Sequence, residues 1–453
     1  MSDLLIRGAE AVLTGLAGPA AREDAEDIRI RGGRIVELAR GLQPEEGERV
    51  LDASGCVVYP GWVNTHHHLF QSLLKGVPAG IDQPLFGWLG TVPYPRLKRY
   101  SRELLELAAT IGLAELLLSG TTTCADHHYL YFEEGDDELG DVLFDVVDRL
   151  GIRFVLCRGG ATEVDRHPQY PTQVRPQSVE RFAWDVERLV GRYHQEAPDA
   201  MRRVVMAPST PTFSVSPAAL RELAAHARGW GIRLHSHLSE THNYVDYTTT
   251  THGVSPVVFC AEHDWVGPDV WFAHLVHVDD TEIGILAETG TGMAHCPASN
   301  CRLGSGIAPA VEMDRAGVPV SLAVDGAASN ESADMISEAH LAWLIHRAVG
   351  GAGAVSAEDV VRWGTAGGAS VLGLDAVGTL APGMAADLVA YELTDPRYAG
   401  LHDPAIGPVV AGGAARVRFS LVQGRPVVED GAIPGLDLPA LQQAGARAVR
   451  TLA

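Results

Sequence analysis

The chain has 453 residues, 46% apolar and 20% charged, which suits a globular protein with room for one large barrel domain and a smaller companion. Its formal net charge of −22 argues against nucleic acid or an anionic membrane surface as a partner. No apolar run reaches the roughly 18 residues of a membrane helix. The opening MSDLLIRGAEAV lacks the basic head and long apolar core of a secretory leader, so the expected location is cytoplasmic. The 6 cysteines show no framework spacing and are expected to be free thiols.

Residues 1–58 read as short strands with turns: LLIRGAEAVL, EDIRIRGGRIVEL and ERVLDASGCVVYP. Their charged alternation and the Gly32-Gly33 turn suit an antiparallel sheet with one wet face. From residue 59 to about 375, apolar strands alternate with amphipathic helices. The strands are GWVNTH, TTCADHH, RFVLCR, VVMAPS, RLHSHLS, VWFAHL, GMAHCP and VSLAVDG. SRELLELAATIGLAELLLSG and SADMISEAHLAWLIHRAV are among the helices between them. Eight strands each feeding a helix predict a TIM-like (β/α)8 barrel. Residues 376–453 return to strands and turns, and with residues 1–58 are expected to form a small discontinuous β-sandwich domain.

The polar outliers fall at the C-terminal ends of those strands, where a barrel of this type builds its site. In NTHHHL, extended alternation puts His66 and His68 on one side and His67 on the other, so the first two are candidate ligands of one divalent ion. The competing reading is a solvated histidine cluster. In LHSHLSE, His237 is placed to ligate and Glu240, three residues on, to reach toward a substrate, while the deeper His235 has at most a supporting role. AHLVH supplies His274 as a functional candidate. Asp325 ends the apolar run LAVDG, a place where an aspartate rarely sits buried without a partner or a metal. His66, His68, His237 and Asp325 together offer three imidazoles and one carboxylate, a set suited to Zn²⁺ or Fe²⁺.

On these motifs the chain resembles the amidohydrolase superfamily along essentially its whole length. The H-x-H, the H-x-x-E, the later His and the final Asp are similar to the pattern of its mononuclear deaminases. PGWVNTHHHLFQ, GTTTCADHH, HLSE, AHCPASN and VDGAASN resemble the branch of triazine hydrolases and guanine and 8-oxoguanine deaminases. WFAHLVH, VDGAASNESADMISE and GLHDPAIGP are most similar to members acting on oxidised pterins, isoxanthopterin above all. Binuclear members commonly bridge their metals with a carboxylated lysine on the fourth strand. RRVVMAPS has no lysine, and the two in the chain, Lys75 and Lys98, lie far upstream, which favours one metal per chain, zinc first and iron second.

The resemblance implies hydrolytic deamination of a small heterocycle, with Glu240 as proton carrier and His274 and Asp325 acting on the attacking water. Gln71 and Trp88 are candidates to contact a flat ring, or else a helix-start polar residue and plain core. Arg158 is a candidate for a ring oxygen, or for an ion pair with Glu163 or Asp165. His277 and His295 are expected in the core. A triazine-type hydrolase and a metal-free binding barrel are the rival classes, and a homo-oligomer is compatible with either.

Overall fold

The strand Cys56–Pro60 and the first barrel strand, β1 (Trp62–Asn64), are separated only by Gly61, yet belong to different sheets. A side chain at Gly61 would start 2.2 Å from Thr122, so the crossing from one sheet to the other requires glycine. This computed structural model describes residues 3–164 and 175–452. After β1 come β2 (Thr121–His128), β3 (Arg153–Arg158), β4 (Arg202–Met206), β5 (Leu234–Leu238), β6 (Val270–His274), β7 (Gly292–His295) and β8 (Val320–Leu322). They form one 8-stranded sheet in strict sequence order, each neighbour parallel. Backbone bonds from Thr65 N–H to Leu322 O (3.4 Å) and from Asp325 N–H to His66 O (3.1 Å) join the last strand to the first and close the barrel. The expected eight strands are the observed ones.

Helix α1 (Leu85–Thr91) carries Trp88, and α2 (Arg102–Leu118) leads into β2. Helix α3 (Met335–Gly350) comes after β8, and α4 (Leu438–Leu452) is the last element described. Ser101 caps α2 by accepting Leu104 N–H, and Asp334 caps α3 by accepting from Ile336 and Ser337, the pattern that starts a helix cleanly. Among the described residues no helix is long and apolar enough to cross a membrane.

The small domain departs from a single antiparallel sheet. Leu4–Arg7, Asp27–Arg31, Arg34–Ala39 and Arg49–Asp52 make a 4-stranded sheet. Ala11–Leu13, Arg22–Glu23 and Cys56–Pro60 join Leu388–Glu392, Val417–Val422 and Arg425–Glu429 in a 6-stranded one, built from both ends of the chain. The runs expected as single strands break at Gly8 (φ 77) and Gly55 (φ 70), and their halves go to different sheets. Leu4–Arg7 then pairs parallel with Arg49–Asp52, and Ala11–Leu13 parallel with Cys56–Pro60. Leu4, Ile6, Ile28, Leu388, Phe419 and Leu421 fill the space between the two sheets. The C-terminal segment also ends differently from the strand-and-turn expectation. α4 lies against α2, with Gly445 close to Ile111, and Leu452 O accepts from Arg96 and Arg99.

Candidate active site

His66 and His68 follow β1, His237 lies in β5, Glu240 just beyond it, His274 ends β6, and Asp325 follows β8. Ser239 (φ 51), His274 (φ 79), Leu275 (φ 46) and Asp325 (φ 61) all occupy the left-handed region at these strand ends. Non-glycine residues adopt it sparingly, and such strain collects at functional sites. Burial pushes the His66, His68 and His237 imidazoles below their ordinary pKa, so each is neutral.

Their tautomers follow from their partners. His68 Nδ1 lies 2.7 Å from His127 O and His237 Nδ1 2.6 Å from Ser209 O; a carbonyl only accepts, so both Nδ1 atoms carry the proton. Burial holds His235 at a pKa of about 3, and its Nδ1 donates to Trp271 O (2.9 Å). His235 Nε2 therefore accepts from His66 Nδ1 at 2.8 Å. All three ligand candidates thus turn an unprotonated Nε2 inward. His68 Nε2 and His237 Nε2 are 3.2 Å apart, and His66 Nε2 is buried without a hydrogen-bond partner. Asp325 Oδ1 lies 3.4 Å from His66 Nε2 and 3.3 Å from His68 Nε2. Four lone pairs facing one another with no proton between them repel, and a cation among them removes the repulsion. The residues fit a divalent metal.

Beside this cluster, Glu240 Oε2 is 3.6 Å from His274 Nε2, whose Nδ1 is 2.9 Å from Asn300 Oδ1. His274 also lies within 4.8 Å, atom to atom, of His66 and Asp325. Burial pushes the Glu240 carboxyl up to about 7, and its Oε1 has no partner. Asp325 Oδ2 accepts from Ser299 (2.5 Å) and Ser329 (3.3 Å). A pocket opens above, lined among others by Gln71, Trp88, Tyr129, Glu240 and His274. Gln71 donates from Nε2 to the Tyr129 hydroxyl (3.0 Å) while its Oε1 is buried and unpartnered, and Trp88 donates to Ala328 O (3.1 Å).

Arg158 is not in this pocket, which corrects its expected contact with a ring oxygen. It is fully buried between the Tyr131 and Phe182 rings, with Asp185 (2.9 Å) and Gln177 (2.6 Å) taking its donors. Asp165, one partner considered for it, lies outside the described residues. His295 is buried against His346 (3.0 Å), and half-buried His277 bonds Ser305 O (2.9 Å). Ser299, Asn300, Ser329 and Tyr129 carry no signal by residue type, although the first three sit in AHCPASN and VDGAASN, directly after apolar strands.

Fold and site together define a metal-type hydrolase barrel, and comparison with known proteins agrees. Residues 57–427 match the model of the amidohydrolase family, and the chain belongs to that family. It is 52% identical to an isoxanthopterin deaminase from an unknown prokaryotic organism, over 99% of this chain and 97% of the relative. It is 42% identical to the 8-oxoguanine deaminase of Pseudomonas aeruginosa, over 97% of each. Among solved structures, the zinc-complexed atrazine chlorohydrolase of Arthrobacter aurescens TC1 superposes with a TM-score of 0.91 at 29% identity, over 98% of this chain and 100% of that one.

Proposed function

We propose that this protein is a metal-dependent aminohydrolase that releases the 2-amino group of an oxidised pterin, isoxanthopterin, as ammonia. The observation that carries the reading is the convergence of three unprotonated imidazole nitrogens and Asp325 beside Glu240 and His274, under a pocket. The likeness to isoxanthopterin deaminase supports the substrate. His66, His68, His237 and Asp325 would hold one divalent ion, zinc or iron, whose Lewis acidity makes hydroxide available from water near neutral pH. The absence of a lysine from β4 supports a single ion, since no lysine bridge for a second exists there.

The chain's own residues do the rest. His274, its Nδ1 engaged by Asn300, presents Nε2 toward Glu240 and orients the attacking water with Asp325. Glu240, pushed up to about 7 by burial, takes a proton from that water and passes it to the ring nitrogen next to the amine-bearing carbon. Attack at that carbon gives a tetrahedral adduct, and transfer of its hydroxyl proton to the amino nitrogen breaks the C–N bond, releases ammonia and leaves a carbonyl. Gln71 and Trp88 border the space for a flat ring. A metal-free binding barrel is disfavoured, because every ligand and proton-transfer position holds a competent residue.

The likeness to 8-oxoguanine deaminase favours a second reading, with a smaller second ring in the same pocket. Ammonia release from isoxanthopterin, pterin, guanine and 8-oxoguanine, compared as kcat/KM on one zinc-loaded preparation, separates them. Isoxanthopterin is expected to lead. A tenfold lead for 8-oxoguanine or guanine overturns the pterin and keeps the deaminase. Hydrolysis of a chlorotriazine with no ammonia from any of the four overturns the aminohydrolase.

A further inference from the structure

His235 lines no part of the pocket, yet both its ring nitrogens are committed to the site's construction. It lies on β5 two residues before His237, fully buried, where barrel interiors are filled by side chains. Its Nδ1–H ends on Trp271 O at 2.9 Å, and its ring stacks on the Trp271 indole, centroids 4.4 Å apart and planes 17° off parallel. The indole N–H of Trp271 in turn donates to Thr65 O at 3.2 Å, the carbonyl immediately before His66. Trp271 therefore holds the Thr65 carbonyl next to His66 directly, and reaches the His66 ring through His235.

The three imidazoles are backed unequally. His68 and His237 donate to the backbone carbonyls of His127 and Ser209, acceptors that no substitution removes. Carbonyls lie in the barrel wall. His66 Nδ1 points across the interior instead, where only a side chain can meet it, and the side chain there is His235 Nε2 at 2.8 Å. Without that acceptor, His66 would either bury an unpaired Nδ1–H or move the proton to Nε2, and a protonated Nε2 cannot ligate.

We propose that His235 is a positioning residue for the metal: by accepting His66 Nδ1–H it fixes the tautomer and tilt that aim His66 Nε2 at the ion. This rests on the metal reading of the site. Two variants divide the roles of its nitrogens. His235→Asn supplies an amide N–H where Nδ1 was and can keep the Trp271 bond, but is too short to reach His66. His235→Gln places its amide oxygen near the position of Nε2 and can still accept from His66.

The test takes the full-length parent and both variants, stripped by a chelator, and measures the Zn²⁺ dissociation constant by competition with a chromophoric chelator. The melting temperature of each stripped protein and the visible spectrum after Co²⁺ loading accompany it. His235→Asn is expected to weaken zinc binding by ~10–100-fold and alter the cobalt spectrum, with His235→Gln closer to the parent on both. A loss of packing alone would lower the stripped proteins' melting temperatures without this ordering. Parent-like zinc affinity in His235→Asn, or a His235→Gln as weak as His235→Asn, overturns the assignment and leaves the metal site standing. A parent that binds no zinc overturns both.

Discussion

Glu240 Oε1 is buried without a partner, while Oε2 faces His274 at 3.6 Å and the carboxyl borders the pocket. A carboxyl that burial has pushed up to about 7 gives and takes a proton with little bias near neutrality, which a shuttle needs. Glutamine fills the same volume and can do neither. Glu240→Gln is therefore expected to keep its zinc, because the converging nitrogens and Asp325 are untouched, while kcat falls by ~10²-fold or more. Turnover near that of the parent, with metal content measured alongside, would make the carboxylate structural. Arg158 gives the opposite case. Among the described residues its partner Asp185 keeps only Arg188 when Arg158 is lost, so Arg158→Met should cost up to about 3–5 kcal/mol of stability. The ratio of kcat/KM for isoxanthopterin over 8-oxoguanine should not change. A changed ratio would bring Arg158 back to the substrate.

At the scale of elements, the eight barrel strands are readable because a parallel strand buried on both faces must be a short apolar run. A histidine or aspartate at its end then stands out, as His66, His237, His274 and Asp325 do. Side-chain direction is less legible. Arg158 ends β3 as His274 ends β6, and only the structure shows that it turns toward Asp185 instead of the pocket. Ser299 and Asn300 stay hidden for another reason: they act through hydrogen bonds to Asp325 and His274, residues brought near by the lateral pairing of β7 with β8 and β6. The segment carrying α1 shows that core and pocket are not exclusive readings. Trp88 is 3% exposed and bonded to Ala328 O, yet its ring also borders the pocket. An aromatic contact of ~0.5–1.5 kcal/mol corresponds to about two- to tenfold in affinity. Trp88→Ala should raise KM by that order while lowering kcat less, as steady-state kinetics would show. A fall in kcat alone would place Trp88 in the chemistry.

Across the whole molecule, the proposed ligands come from the segment after β1, from β5 and from the segment after β8, so an ion there would tie opposite walls of one barrel together. His68 Nε2 and His237 Nε2 lie 3.2 Å apart, so removing an ion held between them would leave two lone pairs to repel in the folded chain. A ligand bound only by the folded chain stabilises it by about 2.7 kcal/mol at a hundredfold excess over Kd. Chelation should therefore abolish ammonia release and lower Tm by several degrees, and added Zn²⁺ should restore both. Restoration should be complete at one equivalent, because β4 carries no lysine to bridge a second ion and the described ligand clusters share His66. Elemental analysis of the purified protein is expected to give close to one zinc or iron per chain, and His237→Ala a sharply lower content. Two tightly held ions per chain, or full retention in His237→Ala, would refute the single site built on these four residues.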